Sequence, residues 1–354
     1  MKLQLTLIST FTLSLVLTAQ IPSGYYDDAA GLTGAALKTA LHNIIKDHTM
    51  VTYAGLWTQF ETTDKKSNSN VWDIYSDIPN GQSPYEFTFT TNQCGNYKAE
   101  ADCYNREHTW PQSWFNSEVI PSCDLFHIYP TDGYVNNRRG NYPYGDVADA
   151  NWTSLNGSKL GPCKDTGYSS TVFEPIDEYK GDIARSYFYM STRYEGEDAQ
   201  WMKSDAADKA TLLNWQMQVL LKWCMDDPVS KKEIDRNNQI YSIQHNRNPY
   251  IDHPEWINSI WISNTTDIND NSSNHLSQIY PNPAIDQFHL SMTDAFIEKI
   301  EVYTMVGGLL EAFDKTSWED RFNFIVDCSA WGKGIYFIKL ITKDKTRTLK
   351  FVKG

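Results

Sequence analysis

Residues 264–276 read Asn-Thr-Thr-Asp-Ile-Asn-Asp-Asn-Ser-Ser-Asn-His-Leu. A tract this polar cannot bury enough apolar surface to pack, so it reads as a linker. The 354 residues therefore cannot share one continuous core, and about 150 residues per domain already predicts two folded parts. The rhythm differs on either side of the tract. After it, residues 277–354 alternate apolar and polar positions in Phe288-His289-Leu290, Ile300-Glu301-Val302-Tyr303 and Ile335 to Leu340. Gly307-Gly308 and Gly332-Lys333-Gly334 punctuate these runs, which predicts a small antiparallel β-sandwich.

Before the tract, residues 20–263 mix helical periodicity with irregular sequence. Thr33 is placed to cap a helix carrying Leu37, Leu41, Ile44 and Ile45. Lys209 to Met225 repeats Leu212, Leu213, Met217, Leu220, Leu221 and Cys224 at helical spacing, and Pro228 can open a further helix. Between about 85 and 165 the chain is rich in Gly, Pro, Asn and aromatics, and a packed domain keeps such a stretch for function. The fold class is thus α+β: a mostly helical domain, then the sandwich.

The first residues carry a different message. Lys2, an apolar run from Leu5 to Leu17 and the small Ala19 have the form of a secretory signal peptide over 1–19. The predicted order is signal peptide 1–19, a larger domain over 20–263, linker 264–276 and tail 277–354. Export permits disulfides. Cys94 and Cys103 form the best pair, Cys123 and Cys163 a weaker one, Cys224 reads as a buried thiol, and Cys328 stands alone. No C-x-x-C occurs, which argues against a cysteine zinc site.

The net charge of −13 excludes a globally basic nucleic-acid binder, and mean hydropathy of −0.51 excludes a multi-span membrane protein. Residues 277–354 hold 10 Lys+Arg and 10 Asp+Glu, so the acidity belongs to the larger part. An acidic protein can still grip a polyanion through a local patch and a metal.

Two segments concentrate the chemistry: Asn105-Arg106-Glu107-His108-Thr109-Trp110-Pro111, and Asp124-Leu125-Phe126-His127-Ile128-Tyr129-Pro130 continuing through Val135-Asn136-Asn137-Arg138-Arg139-Gly140-Asn141. Glu and Asn offer hard oxygens suited to Mg²⁺ or Ca²⁺. A neutral His can take a proton from water, and Arg presents a planar fork to phosphate. Together these are the parts for hydrolysing a phosphodiester. Adjacent in an extended segment, Glu107 and His108 point to opposite sides unless a local turn redirects them.

These segments resemble the endonuclease I family of secreted bacterial nucleases, which carry a ββα-metal (His-Me finger) site. The resemblance rests on Arg106-Glu107-His108 with Trp110-Pro111, on Asp124 to Pro130 with Val135-Asn136, and on Asn246-Arg247-Asn248-Pro249-Tyr250-Ile251-Asp252-His253-Pro254. It implies that Glu107 and Asn136 hold Mg²⁺, with Ca²⁺ or Mn²⁺ as alternatives. It also implies that His108 is the general base and that the products carry 5′ phosphates. Phe126 stands where the family pattern often has His, so His127 is a supporting residue, with Asp124 and Asn141. Residues 112–123 contain no Arg to stabilise the transition state. Arg138, Arg139 or Arg106 must then serve; Arg138 is favoured, leaving Arg106 and Arg139 to contact nucleic acid. The implied substrate is DNA, with RNA as an extension, cut with little sequence preference.

Ile279-Tyr280-Pro281-Asn282-Pro283-Ala284, Val302-Tyr303, Trp331 to Phe337 and the closing Lys350-Phe351-Val352-Lys353 resemble the C-terminal sorting domain of type IX secretion. That implies passage across the outer membrane, a secreted or cell-surface location, the secretion machinery as partner and no stable protein partner. Two rival functions are a catalytically inactive surface binding module and a metal phosphodiesterase for small nucleotides. His42 and His48 read as solvated, Asp64-Lys65-Lys66 as an exposed loop and Asp252-His253-Pro254 as a turn. Arg185 and Arg193 suit DNA phosphate or internal salt bridges equally.

Overall fold

The computed structural model describes residues 21–262, 278–280, 283–291, 297–305, 307–314, 323–341 and 346–354. The signal peptide expected over 1–19 and the linker expected over 264–276 lie outside the described residues. The chain divides into two compact units, Met1–Ile257 and Asn258–Gly354.

The first unit opens with α1 (Gly34–Ile45) and α2 (Leu56–Thr63). Thr33 stands at the N-cap of α1, whose Leu37, Leu41 and Ile45 are buried on one face. Next come β1 (Tyr104–His108), β2 (Ile128–Asp132) and α3 (Gly133–Arg139), and β1 and β2 pair antiparallel. A three-stranded antiparallel sheet follows: β3 (Trp152–Thr153), β4 (Lys159–Pro162) and β5 (Thr171–Glu174). The central element is α4 (Lys180–Arg193), buried along its whole length against α1 and the later helix α5 (Asn214–Asp226).

A helix buried all round must neutralise its charges internally. Lys180 meets Asp146 at 3.0 Å and Glu174 at 2.8 Å, Arg185 meets Glu233 at 2.5 Å, and Arg193 meets Glu197 at 3.1 Å. Arg185 and Arg193 are therefore internal ion-pair partners and cannot reach DNA.

The predicted helix from Lys209 begins five residues late, because β6 (Ala207–Asp208) and β7 (Thr211–Leu212) form a tiny hairpin with Lys209 at φ 56°. Helix α6 (Lys231–Gln244) starts after Pro228 rather than on it. Ser230 supplies the start signal: its hydroxyl accepts from Glu233 N at 3.2 Å while Glu233 Oε2 accepts from Ser230 N at 2.8 Å. Short helices α7 (Pro249–Asp252) and α8 (Glu255–Trp261) follow. Asp252 closes α7 and is structural, accepting from Arg247 Nε at 2.6 Å and Tyr26 Oη at 2.7 Å.

Three minor expectations change. The His48 side chain is fully buried, its Nδ1 accepting from Arg193 Nε at 3.0 Å. His42 is also packed in, with Nδ1 3.1 Å from Thr192 O. Asp64 is buried beneath Arg236, Nε to Oδ1 2.8 Å, and is no exposed loop residue.

Cys94 and Cys103 form a disulfide with Cα atoms 5.7 Å apart. The second pair does not form: Cys123 and Cys163 are free, each fixed by its own segment. Cys123 ends a short 3₁₀ turn, and Cys163 Sγ donates to Asp165 Oδ2 at 3.4 Å. Cys224 is half-buried and Cys328 fully buried.

In the second unit β8 (Gln278–Tyr280), β9 (Gln287–Ser291) and β12 (Asn323–Asp327) form one antiparallel sheet in the order β12-β9-β8. The strands β10 (Lys299–Thr304), β11 (Leu309–Asp314), β13 (Gly334–Ile341) and β14 (Thr346–Lys353) form another, ordered β11-β10-β13-β14. Phe288 and Leu290 of the first sheet share a core with Ile300, Val302, Ile338, Leu340 and Phe351 of the second. The period-two spacing of these residues is the pattern read from the sequence.

Candidate active site

The hairpin β1–β2 and the helix behind it bring the chemistry-bearing residues together. In the β1–β2 register Glu107 lies opposite Tyr129 and His108 opposite Ile128. Strand alternation sends Asn105 and Glu107 to the α3 side and Arg106 and His108 to the other. Asp132 caps α3, accepting from Val135 N at 2.9 Å. Gly133 opens the helix where a Cβ would lie 2.6 Å from the Tyr97 ring and 3.3 Å from Asn105 Nδ2, so a larger residue would displace that ring or the start of α3.

Asn136 and Arg139 are three apart on α3 and share the face toward β1. Asn136 Nδ2 donates to Asn105 Oδ1 at 2.7 Å and Arg106 O at 3.3 Å. Arg139 Nη1 donates to Glu107 Oε1 at 3.0 Å and His108 O at 2.8 Å, while Nη2 reaches Thr109 O and Tyr187 Oη.

Glu107 is 1% exposed. Its Oε1 also accepts from Tyr75 Oη at 3.0 Å and Tyr144 Oη at 3.2 Å. Burial pushes this carboxyl up; Arg139 and the two tyrosines pull it back without cancelling the rise. All described bonds converge on Oε1, so Oε2 remains for another partner.

His108 Nε2 lies 3.2 Å from Ser122 O. A carbonyl only accepts, so Nε2 carries the proton in that bond and Nδ1 is the unprotonated nitrogen of the neutral ring. Tyr53 stacks over the imidazole at 6.0 Å, and His127 meets it edge-on at 5.6 Å. Burial, and then His127, push the His108 imidazole down to about 3, so it is neutral near pH 7.

His127 is completely buried, with Nε2 2.6 Å from Pro121 O, and burial pushes it down to about 4. Its main-chain oxygen accepts from Thr109 N and Thr109 Oγ1, both at 3.0 Å. Asp124 is equally buried, accepting from Phe126 N, Gln244 Nε2, Tyr189 Oη and Tyr194 Oη. Burial pushes its carboxyl up, but His48, His127 and these donors outweigh burial and hold it below the usual range. Both residues brace the loop beneath His108. Asn141 lies in the exposed turn beyond α3 and, among the described residues, bonds to none of the others.

The arginine assignments need correcting. Arg139 is 0% exposed and its Nη donors go to Glu107, two main-chain carbonyls and Tyr187, so it cannot contact nucleic acid. Arg138 is one helical position away, about 100° around the axis, and faces solvent. It bonds Tyr134 Oη at 2.5 Å and lies over the Tyr134 and Trp152 rings, not beside Glu107 or His108. The guanidinium on the His108 side of β1 is Arg106. It is half-buried, donates to Tyr53 O at 2.7 Å, and lies 3.7 Å from the Tyr53 ring and 4.6 Å from that of Trp57.

Among the described residues no group of three or more His, Cys, Asp and Glu is arranged for a metal. Glu107 Oε2 and Asn136 Oδ1 are hard oxygens that take no part in the bonds described above. Each has its companion polar atom tied to the protein, as outer-sphere bonds orient metal ligands. Two hard oxygens fit a cation that keeps most of its water, as Mg²⁺ does.

Tyr75, Tyr144 and Tyr187 around Glu107 and Arg139, and Tyr53 and Trp57 around Arg106, escaped the sequence reading. Tyr53, Trp57, Tyr75 and Tyr187 sit far from the motifs along the chain, and Tyr144 lies three residues beyond Asn141. Their one signal is the 14% aromatic content, which marks no position.

A profile described as Endonuclease I matches residues 33–255, and one described as a secretion system C-terminal sorting domain matches residues 278–354. An extracellular ribonuclease of Bacillus amyloliquefaciens is 37% identical over 245 residues, spanning 67% of this chain and 78% of that protein. An extracellular ribonuclease of Bacillus subtilis (strain 168) is 34% identical over 245 residues, with the same shares of 67% and 78%. An endonuclease-1 of Buchnera aphidicola subsp. Baizongia pistaciae is 32% identical over 138 residues, 39% of this chain and 49% of the relative.

Proposed function

The chain belongs to the endonuclease I family and ends in a C-terminal sorting domain, and from that premise we propose that it is a secreted, metal-dependent endonuclease that hydrolyses DNA and RNA with little sequence preference. The relatives named above as ribonucleases and as an endonuclease support a nucleic-acid substrate. The observation that carries the mechanism is the bond from His108 Nε2 to Ser122 O, on the residue that follows Glu107 along β1. The succession β1, β2, α3 around it supports reading the site as a ββα-metal motif.

Glu107 Oε2 and Asn136 Oδ1 would hold the divalent ion, with Mg²⁺ first and Ca²⁺ or Mn²⁺ as alternatives. When bound, such an ion neutralises the scissile phosphate and the charge growing on the leaving oxygen. Ser122 fixes the imidazole so that Nδ1 is the free base. His108 Nδ1 takes a proton from water as the water oxygen bonds to phosphorus. The bond from phosphorus to the 3′ oxygen breaks, its electron pair leaves with that oxygen, and the phosphate stays on the 5′ end. Arg139, Tyr75 and Tyr144 hold Glu107 in place and shield it from bulk water. Arg106, on the same strand face as His108, is the cation positioned to meet substrate phosphate.

The two sheets of the second unit, sharing one core, support the β-sandwich reading of the sorting tail. The tail would hand the enzyme to type IX machinery and deliver it outside the cell or to its surface.

The test is digestion of plasmid DNA and of single-stranded RNA by the mature full-length chain, with Mg²⁺ or with EDTA. Cleavage with Mg²⁺ and none with EDTA is expected. Equal cleavage under both conditions would reject the metal, and no cleavage with Mg²⁺, Mn²⁺ or Ca²⁺ would reject the nuclease.

A further inference from the structure

A surface pocket of about 330 Å³ opens beside β1, lined by Tyr53, Trp57, Gln93, Cys94, Gly95, Asn105 and Arg106. Arg106 is its charged wall. Among the described residues no carboxylate pairs with this guanidinium, in a protein of net charge −13. Other half-buried or buried cations of the first unit are answered by acids, as Lys66 is by Asp77 at 2.5 Å and Arg139 by Glu107 at 3.0 Å. Arg106 is instead held by aromatic faces, with Tyr53 3.7 Å and Trp57 4.6 Å away. That arrangement fixes a planar fork while leaving donors open to an anion.

The pocket's other walls suit a nucleoside. Trp57 offers an aromatic surface, and the Gln93 and Asn105 amides can donate and accept. The Asn105 side chain is itself anchored to Asn136 at 2.7 Å, so this wall is continuous with the proposed metal ligands. Arg106 and His108 lie two residues apart on one strand face, about 6.6 Å along the strand. That is the scale of one nucleotide step.

We propose that this pocket is a mononucleotide subsite, in which Arg106 takes the phosphate next to the one being cut and the attached nucleoside packs against Trp57. The choice of a nucleotide rests on the nuclease reading; the anion and the aromatic wall rest on the pocket itself. Residues Arg106, Trp57 and Gln93 are then substrate-binding residues that set how the strand is seated over His108.

Equilibrium binding of thymidine 5′-monophosphate, thymidine and inorganic phosphate to the full mature chain in EDTA tests this without metal or turnover. The monophosphate should bind one to one, at least ~10-fold tighter than either fragment alone, as linked contacts require. Trp57→Ala should weaken it about 5-fold or more, the low end for losing one base stack, and Arg106→Gln should abolish the advantage of the monophosphate over thymidine. Should a variant lose its circular-dichroism signal, Gln93→Ala on the pocket rim and competitive inhibition of oligonucleotide cleavage by the monophosphate in the wild type serve instead. No monophosphate binding, affinity unchanged in the folded variants, or phosphate bound as tightly as the monophosphate would each overturn the subsite. A wild type that binds the monophosphate through Arg106 yet cuts no nucleic acid would remove the nuclease reading and keep the subsite. Cleavage without monophosphate binding would do the reverse.

Discussion

Arg139 Nη1 donates to Glu107 Oε1 at 3.0 Å, and neither residue is more than 1% exposed. The pair joins β1 to α3, the helix that carries Asn136. Removing one member of such a pair strands the other charge in the interior. Arg139→Met should therefore cost about 3–5 kcal/mol of stability at pH 7. Urea denaturation measures this, and a loss below about 1 kcal/mol would mean that Glu107 does not depend on Arg139.

His108→Ala should reduce nucleic-acid cleavage at least ~100-fold with the fold intact, the low end for losing a general base. Single-turnover rates at saturating metal are the readout. Near-normal rates would take His108 out of the chemistry, whatever its bond to Ser122.

The phase of α3 separates two neighbouring arginines by role. Arg138→Ala removes a solvent-facing cation and should lower kcat less than about 10-fold, since its contacts are Tyr134 and Trp152. A kcat loss of ~1,000-fold, as for a transition-state arginine, would return Arg138 to the reacting centre.

Stability should depend on Asp73. Burial, and then the neighbouring Asp132, push its carboxyl from 3.8 up to about 7. The folded state then keeps a proton that the unfolded chain releases, so stability falls as pH rises from about 4 through 7. At pH 8 the loss is at most about 4 kcal/mol. Asp73→Asn should flatten this slope in thermal melts taken across that range; a slope identical to wild type would assign the dependence to other groups. Because Asp73 accepts from Tyr75 N at 2.7 Å and Asp132 N at 2.9 Å, the same titration touches the Glu107 cage and the start of α3.

Part of this candidate site was legible in local sequence, and the rest was not. Glu107, His108 and Asn136 stand out because their chemistry lies in short, contiguous runs. The Cys94 and Cys103 pairing was legible for the same reason, being only 9 residues apart in sequence. Cys123 and Cys163 misled because spacing says nothing about the segments that hold each thiol. Arg139 misled for a subtler reason. A charged residue beside another charged residue reads as a solvated pair, and only the helix phase shows that one of them points inward. Tyr75 and Tyr144 lie 32 and 37 residues from Glu107, and nothing in the sequence marks them as its partners. In the second unit, alternation alone fixed the faces of β9, β10 and β13, because there each strand's neighbour is another strand with the same period.

The hub at Asp124 sets an order of events. The loop beneath His108 is tied to Gln244, which donates to Asp124 Oδ1 at 3.1 Å and accepts from Leu125 N at 2.7 Å. Those contacts span about 120 positions of chain. A polypeptide emerging from the ribosome or threading a membrane N-terminus first presents its Glu-His strand long before it presents Gln244. Until then the buried carboxylate lacks this donor and Leu125 N lacks its acceptor. Competence to cut thus arrives late, when nearly the whole first unit has left the compartment that holds the cell's own nucleic acids.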